Sequence, residues 1–321
     1  MTIPLAISAT SLTKSYREHQ VVRGIDLRVT PGSVFALLGP NGAGKTTTVR
    51  ILATLTRPTS GTALVAGHDI VADPRGVRRS ISVTGQYAAL DDLQTGAENL
   101  RMIGRLAGLT AEQARQRAAE LLTQFDLTEA ANRRVGTWSG GMRRRLDIAA
   151  SLVVEPLIVF LDEPTTGLDP RSRLALWNVI AQLASAGITI FLTTQYLEEA
   201  DRLADRVALI DGGRIVAEGT PAELKRRVGN SRLDLDLVSD DAFMSAIDRL
   251  GARATRTDRA ALSISVPTDG SAAQVRALLD EIDPGNRLLS QFTVHTATLD
   301  DVFLSLTGRV GGQPEMERSN V

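Results

Sequence analysis

Gly39-Pro40-Asn41-Gly42-Ala43-Gly44-Lys45-Thr46 is the stretch of this chain whose residue types are best suited to grip phosphate. These eight residues fit G-x-x-x-x-G-K-[ST], where glycines let the backbone curl and point successive N–H groups at an anion. The surroundings agree: Ser33 to Leu38 reads as a buried strand, and Lys45 to Ala53 opens a helix whose N-terminus adds partial positive charge. Lys45 can reach the β- and γ-phosphates of a nucleoside triphosphate, and Thr46 can ligate Mg2+, with Thr47 completing the set at the phosphates. Lysine occurs only as Lys14, Lys45 and Lys225, so 33 of the 36 basic residues are arginine. A lysine at this position therefore reflects chemistry rather than the general usage of the chain.

Two further clusters could complete a reaction. Asp162 and Glu163 end the apolar run Leu157 to Leu161. An acid at Asp162 can hold Mg2+ through water opposite Thr46, and Glu163 would lie beside the γ-phosphate to orient or deprotonate an attacking water. A solvated pair of strand-end acids is the plainer alternative. Trp138-Ser139-Gly140-Gly141-Met142 precedes a helix with apolar Leu146, Ile148, Ala149, Leu152 and Val153. Ser139 is a natural N-cap, and the glycines bring backbone N–H groups close to an anion.

The elements that must position these residues follow from hydrophobic periodicity. Residues 5–12 and 25–38 read as strands, followed by the phosphate loop, its helix, and short strands at 63–66 and 81–83. From about Thr95 to Arg134 apolar residues recur at helical spacing, a helical insertion within an α/β domain. Parallel-sheet alternation then resumes with strands at 157–161 and 188–192 around a helix at 173–184. A hairpin closes the domain, with Asp211-Gly212-Gly213 as its turn. Near Gly229-Asn230 the character changes. Residues 231–308 read strand, helix, two strands (252–256 and 261–266), helix, strand, the βαββαβ order of a small ferredoxin-like domain. The polar tail from about 309 is expected to be disordered.

Composition sets outer limits. A length of 321 residues suffices for two domains, and 43% hydrophobic with 23% charged residues is ordinary for a soluble globular protein. A net charge of −1 gives no global pull towards nucleic acid or an anionic bilayer. Absence of cysteine excludes disulfides and thiolate zinc sites. No apolar run approaches the roughly 20 residues that span a bilayer, and no signal peptide is evident at the N-terminus. Arg143-Arg144-Arg145 reads as a helix face meeting solvent, phosphate or a neighbouring acid rather than nucleic acid. His68 has no metal-binding or catalytic partner pattern.

Ser139-Gly140-Gly141 lies 23 residues before Asp162, and Glu163-Pro164-Thr165-Thr166-Gly167-Leu168-Asp169 follows. With these motifs in order, residues 5–228 resemble the nucleotide-binding domain of ATP-binding-cassette (ABC) transporters. The resemblance implies a P-loop NTPase fold with an antiparallel β subdomain and a helical subdomain. It implies that Tyr16 stacks on adenine, that Gln86 contacts Mg2+ or the water and links to the membrane partner, and that Asp169 communicates across a dimer. It further implies head-to-tail pairing, with Ser139, Gly140, Gly141 and Asp169 of one copy acting in trans on the ATP held by the other. One full motif set and no repeat make a homodimer the simplest assembly.

Three features depart from the usual family pattern. Trp138 and Met142 replace leucine and glutamine of the signature, and Gln195 stands where histidine is common. Glutamine can donate to a γ-phosphate oxygen but carries no proton at neutral pH. The sequence therefore assigns water activation to Glu163 and geometry to Gln195. The run Trp138 to Leu146, Gln195, and Thr298-Leu299-Asp300-Asp301-Val302-Phe303-Leu304 resemble the daunorubicin-resistance branch of drug exporters. That branch implies a single ATP-binding domain with a C-terminal extension, working with a separate permease at the cytoplasmic face of a bacterial membrane. An importer ATPase, or a non-transport ABC ATPase, is the alternative. A DNA- or ribosome-directed member would usually show two cassettes, zinc cysteines or a basic surface.

Overall fold

The computed structural model describes residues 4–85, 90–228, 231–295 and 297–307. They form two compact units that divide between Pro221 and Ala222. The expected contact residue Gln86 lies outside the described residues, as do Gly229, Asn230 and the tail from 308.

The first unit opens with β1 (Ile7–Tyr16) and β2 (His19–Val29), an antiparallel pair. Sequence periodicity places strands at 5–12 and 25–38. The structure instead starts β2 at His19 and separates it from β3 (Val34–Leu38), because Pro31-Gly32 turns the chain with Gly32 at φ 69°. After α1 (Lys45–Leu52), β4 (Ser60–Val65) and β5 (His68–Asp69) complete a four-stranded antiparallel sheet in the order β2-β1-β4-β5. Next come α2 (Pro74–Ser80) and β6 (Ile81–Thr84).

The helical insertion comprises α3 (Gly96–Leu106) and α4 (Ala111–Gln124). Capping boxes start both: Thr95 with Glu98, and Thr110 with Gln113. Their apolar stripes bury Leu100, Leu121 and Leu122, with Phe125 just beyond.

The second sheet is built from β7 (Ile158–Asp162), β8 (Thr189–Thr194), β9 (Arg206–Asp211) and β10 (Arg214–Gly219) together with β3 and β6. Between them run α5 (Gly140–Ser151), α6 (Pro170–Ser185) and α7 (Leu197–Leu203). The strand order is β10-β9-β3-β8-β7-β6, parallel except for the β10 edge. β3, β7 and β8 are buried at every position, as continuous apolar runs require of strands covered on both faces. Phe35, Phe160 and Phe191 pack at their centre, with ring centroids 5.4 and 5.5 Å apart. The β9–β10 turn has positive φ at both Gly212 and Gly213, the requirement of a two-residue hairpin loop. The carboxyl ends of β3, β7 and β8 therefore open at one edge, where parallel sheets bind ligands.

Helix α8 (Pro221–Val228) starts at the division between the units. The second unit contains β11 (Arg232–Leu237), α9 (Asp240–Leu250), β12 (Arg256–Asp258), β13 (Ser263–Pro267), α10 (Ala272–Ile282), β14 (Leu289–His295) and α11 (Leu299–Thr307). Its sheet is antiparallel in the order β12-β13-β11-β14. β12 and β13 begin later than the expected residues 252 and 261. Gly251 takes φ 54° and the chain makes a 3-10 turn through Arg253 before β12 can start. Leu233, Leu235 and Ile264 pack with Phe243, Ala246 and Ile282 into a separate core.

Candidate functional site

The phosphate loop leaves β3 at Leu38, and the Gly39 N–H donates to the Thr194 carbonyl at 3.2 Å. A β-carbon at Gly39 would stand 2.2 Å from the Ile210 carbonyl oxygen, so no side chain fits. Gly44 adopts φ 106° directly before α1. No side chain caps that helix and no acid occupies its first turn, so its leading N–H groups keep their partial positive charge for a ligand.

Lys45 is buried, 4% exposed, and donates to the carbonyls of Gly39 at 2.9 Å and Pro40 at 3.1 Å. Its ammonium also lies 3.2 Å from Glu163 Oε1. From the same helix turn the Thr46 hydroxyl donates to Asp162 Oδ1 at 3.2 Å, and Thr193 donates to that oxygen at 2.5 Å. Glu163 has φ 49°, a left-handed conformation that costs of order 1–3 kcal/mol for a residue with a side chain. Its N–H donates to the Thr193 carbonyl and hydroxyl, each at 3.1 Å. This kink turns the carboxylate back from the end of β7 to Lys45. Lys45, Thr46, Asp162 and Glu163 thus converge, although 116 residues separate Thr46 from Asp162.

The other expected residues lie apart from that group. Ser139 is exposed and caps α5 by accepting from Met142 N at 3.3 Å. Asp169 caps α6, accepting from the Ser172 N–H at 2.9 Å and hydroxyl at 2.6 Å. These donors hold its carboxyl below the usual carboxylate range. Gly141 links the two caps: a β-carbon there would meet Ser172 Oγ at 2.4 Å. Ser139, Gly140, Gly141 and Asp169 therefore form a neighbouring patch of their own. Tyr16 ends β1, is 46% exposed, and has the Lys14 ammonium 4.9 Å from its ring centre. Gln195 follows β8 and is half-buried, while Asn41 and Gly42 are exposed in the loop.

Two buried contacts escape a reading of the sequence, and the arginine run meets one of its expected partners. Thr193 looks like an ordinary β-branched strand residue; its role emerges only from the register that pairs it with Asp162. Glu199 is fully buried under Trp177, whose ring nitrogen donates to it at 3.0 Å, and burial pushes its carboxyl up. The Arg143–Arg145 run meets neighbouring acids rather than solvent alone. Arg143 pairs with Asp92 and Arg145 with Asp126, each at 3.5 Å, whereas Arg144 is buried against Asp147 at 3.0 Å. Trp138 is accommodated by Gly96, where a β-carbon would lie 2.5 Å from the indole ring.

The His68 Nδ1 pairs with Asp73 at 2.8 Å, and no cluster of three metal-ligating side chains occurs among the described residues. The Thr46 hydroxyl and Asp162 carboxylate nevertheless form a hard-oxygen pair at a helix N-terminus, a donor set that fits Mg2+ beside phosphate oxygens. No helix among the described residues is long and apolar enough to cross a membrane.

Comparison with known proteins bears on the family and the fold. The family described as ABC transporter matches residues 22–166. The chain is 50% identical to the daunorubicin/doxorubicin resistance ATP-binding protein DrrA of Streptomyces peucetius, covering 94% of this chain and 92% of that one. It is 49% identical to the doxorubicin resistance ATP-binding protein DrrA of Mycobacterium tuberculosis, with 94% of each chain covered. Among solved structures, an ATP-binding subunit of an ABC transporter superposes with a TM-score of 0.62 at 28% identity, covering 70% of this chain and 93% of that one.

Proposed function

The chain belongs to the ABC transporter family as an ATP-hydrolysing exporter subunit, and from that premise we propose that it powers efflux of a hydrophobic drug, antibiotic or lipid. The export path lies in a separate permease, with this subunit at the cytoplasmic face of the membrane. The observation that carries the proposal is the convergence of Lys45, Thr46, Asp162 and Glu163 at the carboxyl ends of the central strands.

Residues 39–47 wrap the phosphates with backbone N–H groups, and Lys45 exchanges its carbonyl partners for β- and γ-phosphate oxygens. Tyr16 supplies a π face for the adenine. Thr46 and Asp162, with Gln86, hold Mg2+, which when bound neutralises charge on the phosphate oxygens. Moving Lys45 onto phosphate releases the Glu163 carboxylate to accept a proton from the attacking water. Gln195 donates to the γ-phosphate and holds geometry.

Two copies pair head to tail, so that Ser139, Gly140 and Gly141 of one meet the γ-phosphate on the other while Asp169 signals between them. Closure shifts the helical insertion and rocks the permease; hydrolysis reopens the pair. The second unit stabilises the dimer or regulates its opening. Deletion of 231–308 should therefore weaken dimerisation in sedimentation or change ATPase, and leaving both intact would reject that role.

The deciding experiment compares Glu163→Gln with Gln195→Ala under saturating MgATP. Loss of the general base should lower turnover by on the order of 10²–10⁴-fold while ATP still binds. A small effect of the first beside a collapse from the second would reverse the two assignments.

A further inference from the structure

Arg144 sits in the second turn of α5, the helix that starts at Ser139-Gly140-Gly141, and its side chain is 11% exposed. Its guanidinium reaches away from its own helix to three main-chain carbonyls. Nε donates to Pro164 at 2.9 Å, Nη1 to Gly85 at 2.7 Å, and Nη2 to Asp162 at 3.4 Å. Nη1 also donates to Asp147 Oδ2 at 3.0 Å, one turn further along α5. Asp162 and Pro164 are the residues on either side of Glu163.

The backbone around Glu163 is thus held from two sides. Thr193 accepts its N–H, and Arg144 donates to the carbonyls that flank it. A left-handed glutamate persists only where its surroundings over-determine it, and these contacts do so together with Lys45 on the carboxylate and the Thr166 N–H on the carbonyl. Plain stability is a poor reason for the arrangement: a buried ion pair gains little over apolar packing of similar volume. A planar fork of fixed N–H donors is instead well suited to setting several carbonyls at defined positions, which a lysine ammonium cannot do.

We infer that Arg144 is a positioning residue for hydrolysis: it fixes the kink that aims Glu163 and ties the signature helix to the reaction centre of the same chain. This rests on the ATPase reading above and adds a link within one chain to the contacts expected between chains.

The test uses the full-length chain and compares Arg144→Lys, Arg144→Gln and the double variant Arg144→Gln/Asp147→Asn. Steady-state MgATP hydrolysis, the Mg2+ concentration for half-maximal rate and thermal unfolding are measured for each. Both single variants should lose about tenfold or more in kcat with KM within about threefold, and should need more Mg2+ because the Asp162 main-chain carbonyl loses its anchor while Thr46 and Thr193 still hold the carboxylate. The double variant, which removes the charge of Asp147 together with that of Arg144, should recover thermal stability without recovering kcat. A kcat loss under about tenfold in folded Arg144→Lys or Arg144→Gln overturns the inference, as does kcat that returns with stability in the double variant. If Arg144→Gln does not fold, Arg144→Lys decides by the same threshold. A parent protein that binds MgATP but never hydrolyses it would instead remove the ATPase reading itself.

Discussion

The phosphate-loop half of the site and the signature half are finished in opposite ways. Around Lys45, the carbonyls of its own loop are joined by groups from distant parts of the chain, the Glu163 carboxylate just beyond β7 and, through Asp162, a hydroxyl from β8, all at buried or half-buried residues. Around Ser139 and Asp169, each side chain caps the helix that it starts, and Ser139, Gly140 and Asp169 remain exposed. One half brings its polar groups together through contacts within the chain. The other is set by local hydrogen bonds and leaves Ser139, Gly140 and Asp169 facing outward, as the proposed contact with a second copy requires. This contrast is the structural reason for expecting catalysis to need two copies.

The largest expected effect lies in the first half. Lys45→Ala removes the cation between carbonyls and Glu163, and turnover should fall by on the order of 10³-fold or more, read by phosphate release. Gly140→Asp probes the second half. The nearest atom to a β-carbon there is Leu168 Cδ2 at 3.9 Å, so the variant should fold normally. An acid in the first helical turn even favours the helix dipole by about 0.3–1 kcal/mol. Turnover should nevertheless drop by on the order of 10²-fold, because a carboxylate would face the γ-phosphate of the partner's ATP. Equal hydrolysis in parent and Gly140→Asp would break the contrast.

Co-expressing Lys45→Ala with Gly140→Asp sharpens it. Each mixed dimer contains one intact composite site, so random pairing should restore about a quarter of parental activity. No rise above the separate variants would place both halves of each site in one chain. A smaller effect is expected at Thr193→Val, which strips Asp162 and the Glu163 amide of a shared partner; a loss of about 1–3 kcal/mol in unfolding free energy checks it.

The smallest concerns Glu199. Burial raises its carboxyl above the ordinary value of 4.5, so the folded state holds that proton more tightly than the unfolded chain does. Its contribution to stability is complete below that value and declines as pH rises through the raised one. Glu199→Gln keeps an acceptor for Trp177 and abolishes this decline. Its melting temperature relative to the parent should therefore climb as pH rises above the ordinary carboxyl value of 4.5.

Chemistry encoded in contiguous residues is legible in the chain; chemistry made by pairing is not. Gly39 to Thr46 announces itself because one loop must supply its own glycines, cation and hydroxyl. Asp162 and Glu163 do so because a short apolar run marks where β7 ends. Thr193 carries no such mark, since its hydroxyl matters only through the neighbouring strand's register. Arg144 is hidden within three arginines whose partners lie on different elements. Among the elements, periodicity shortens β2 because its polar start, His19-Gln20, lacks apolar alternation. It displaces β12 because the three residues of that strand are all exposed and leave no burial pattern to detect. The βαββαβ order is nevertheless readable because each of its helices has a strong apolar stripe and an N-cap serine, Ser239 or Ser271.

The rarity of lysine, together with the burial of Lys45, gives the molecule a built-in reporter. Amine-selective acylation can modify only three side chains, and guanidinium groups elsewhere stay silent. One of the three is enclosed by loop carbonyls and Glu163. Mass-spectrometric labelling kinetics at that single amine would thus follow opening of the loop in the intact transporter, with no engineered tag or fluorophore.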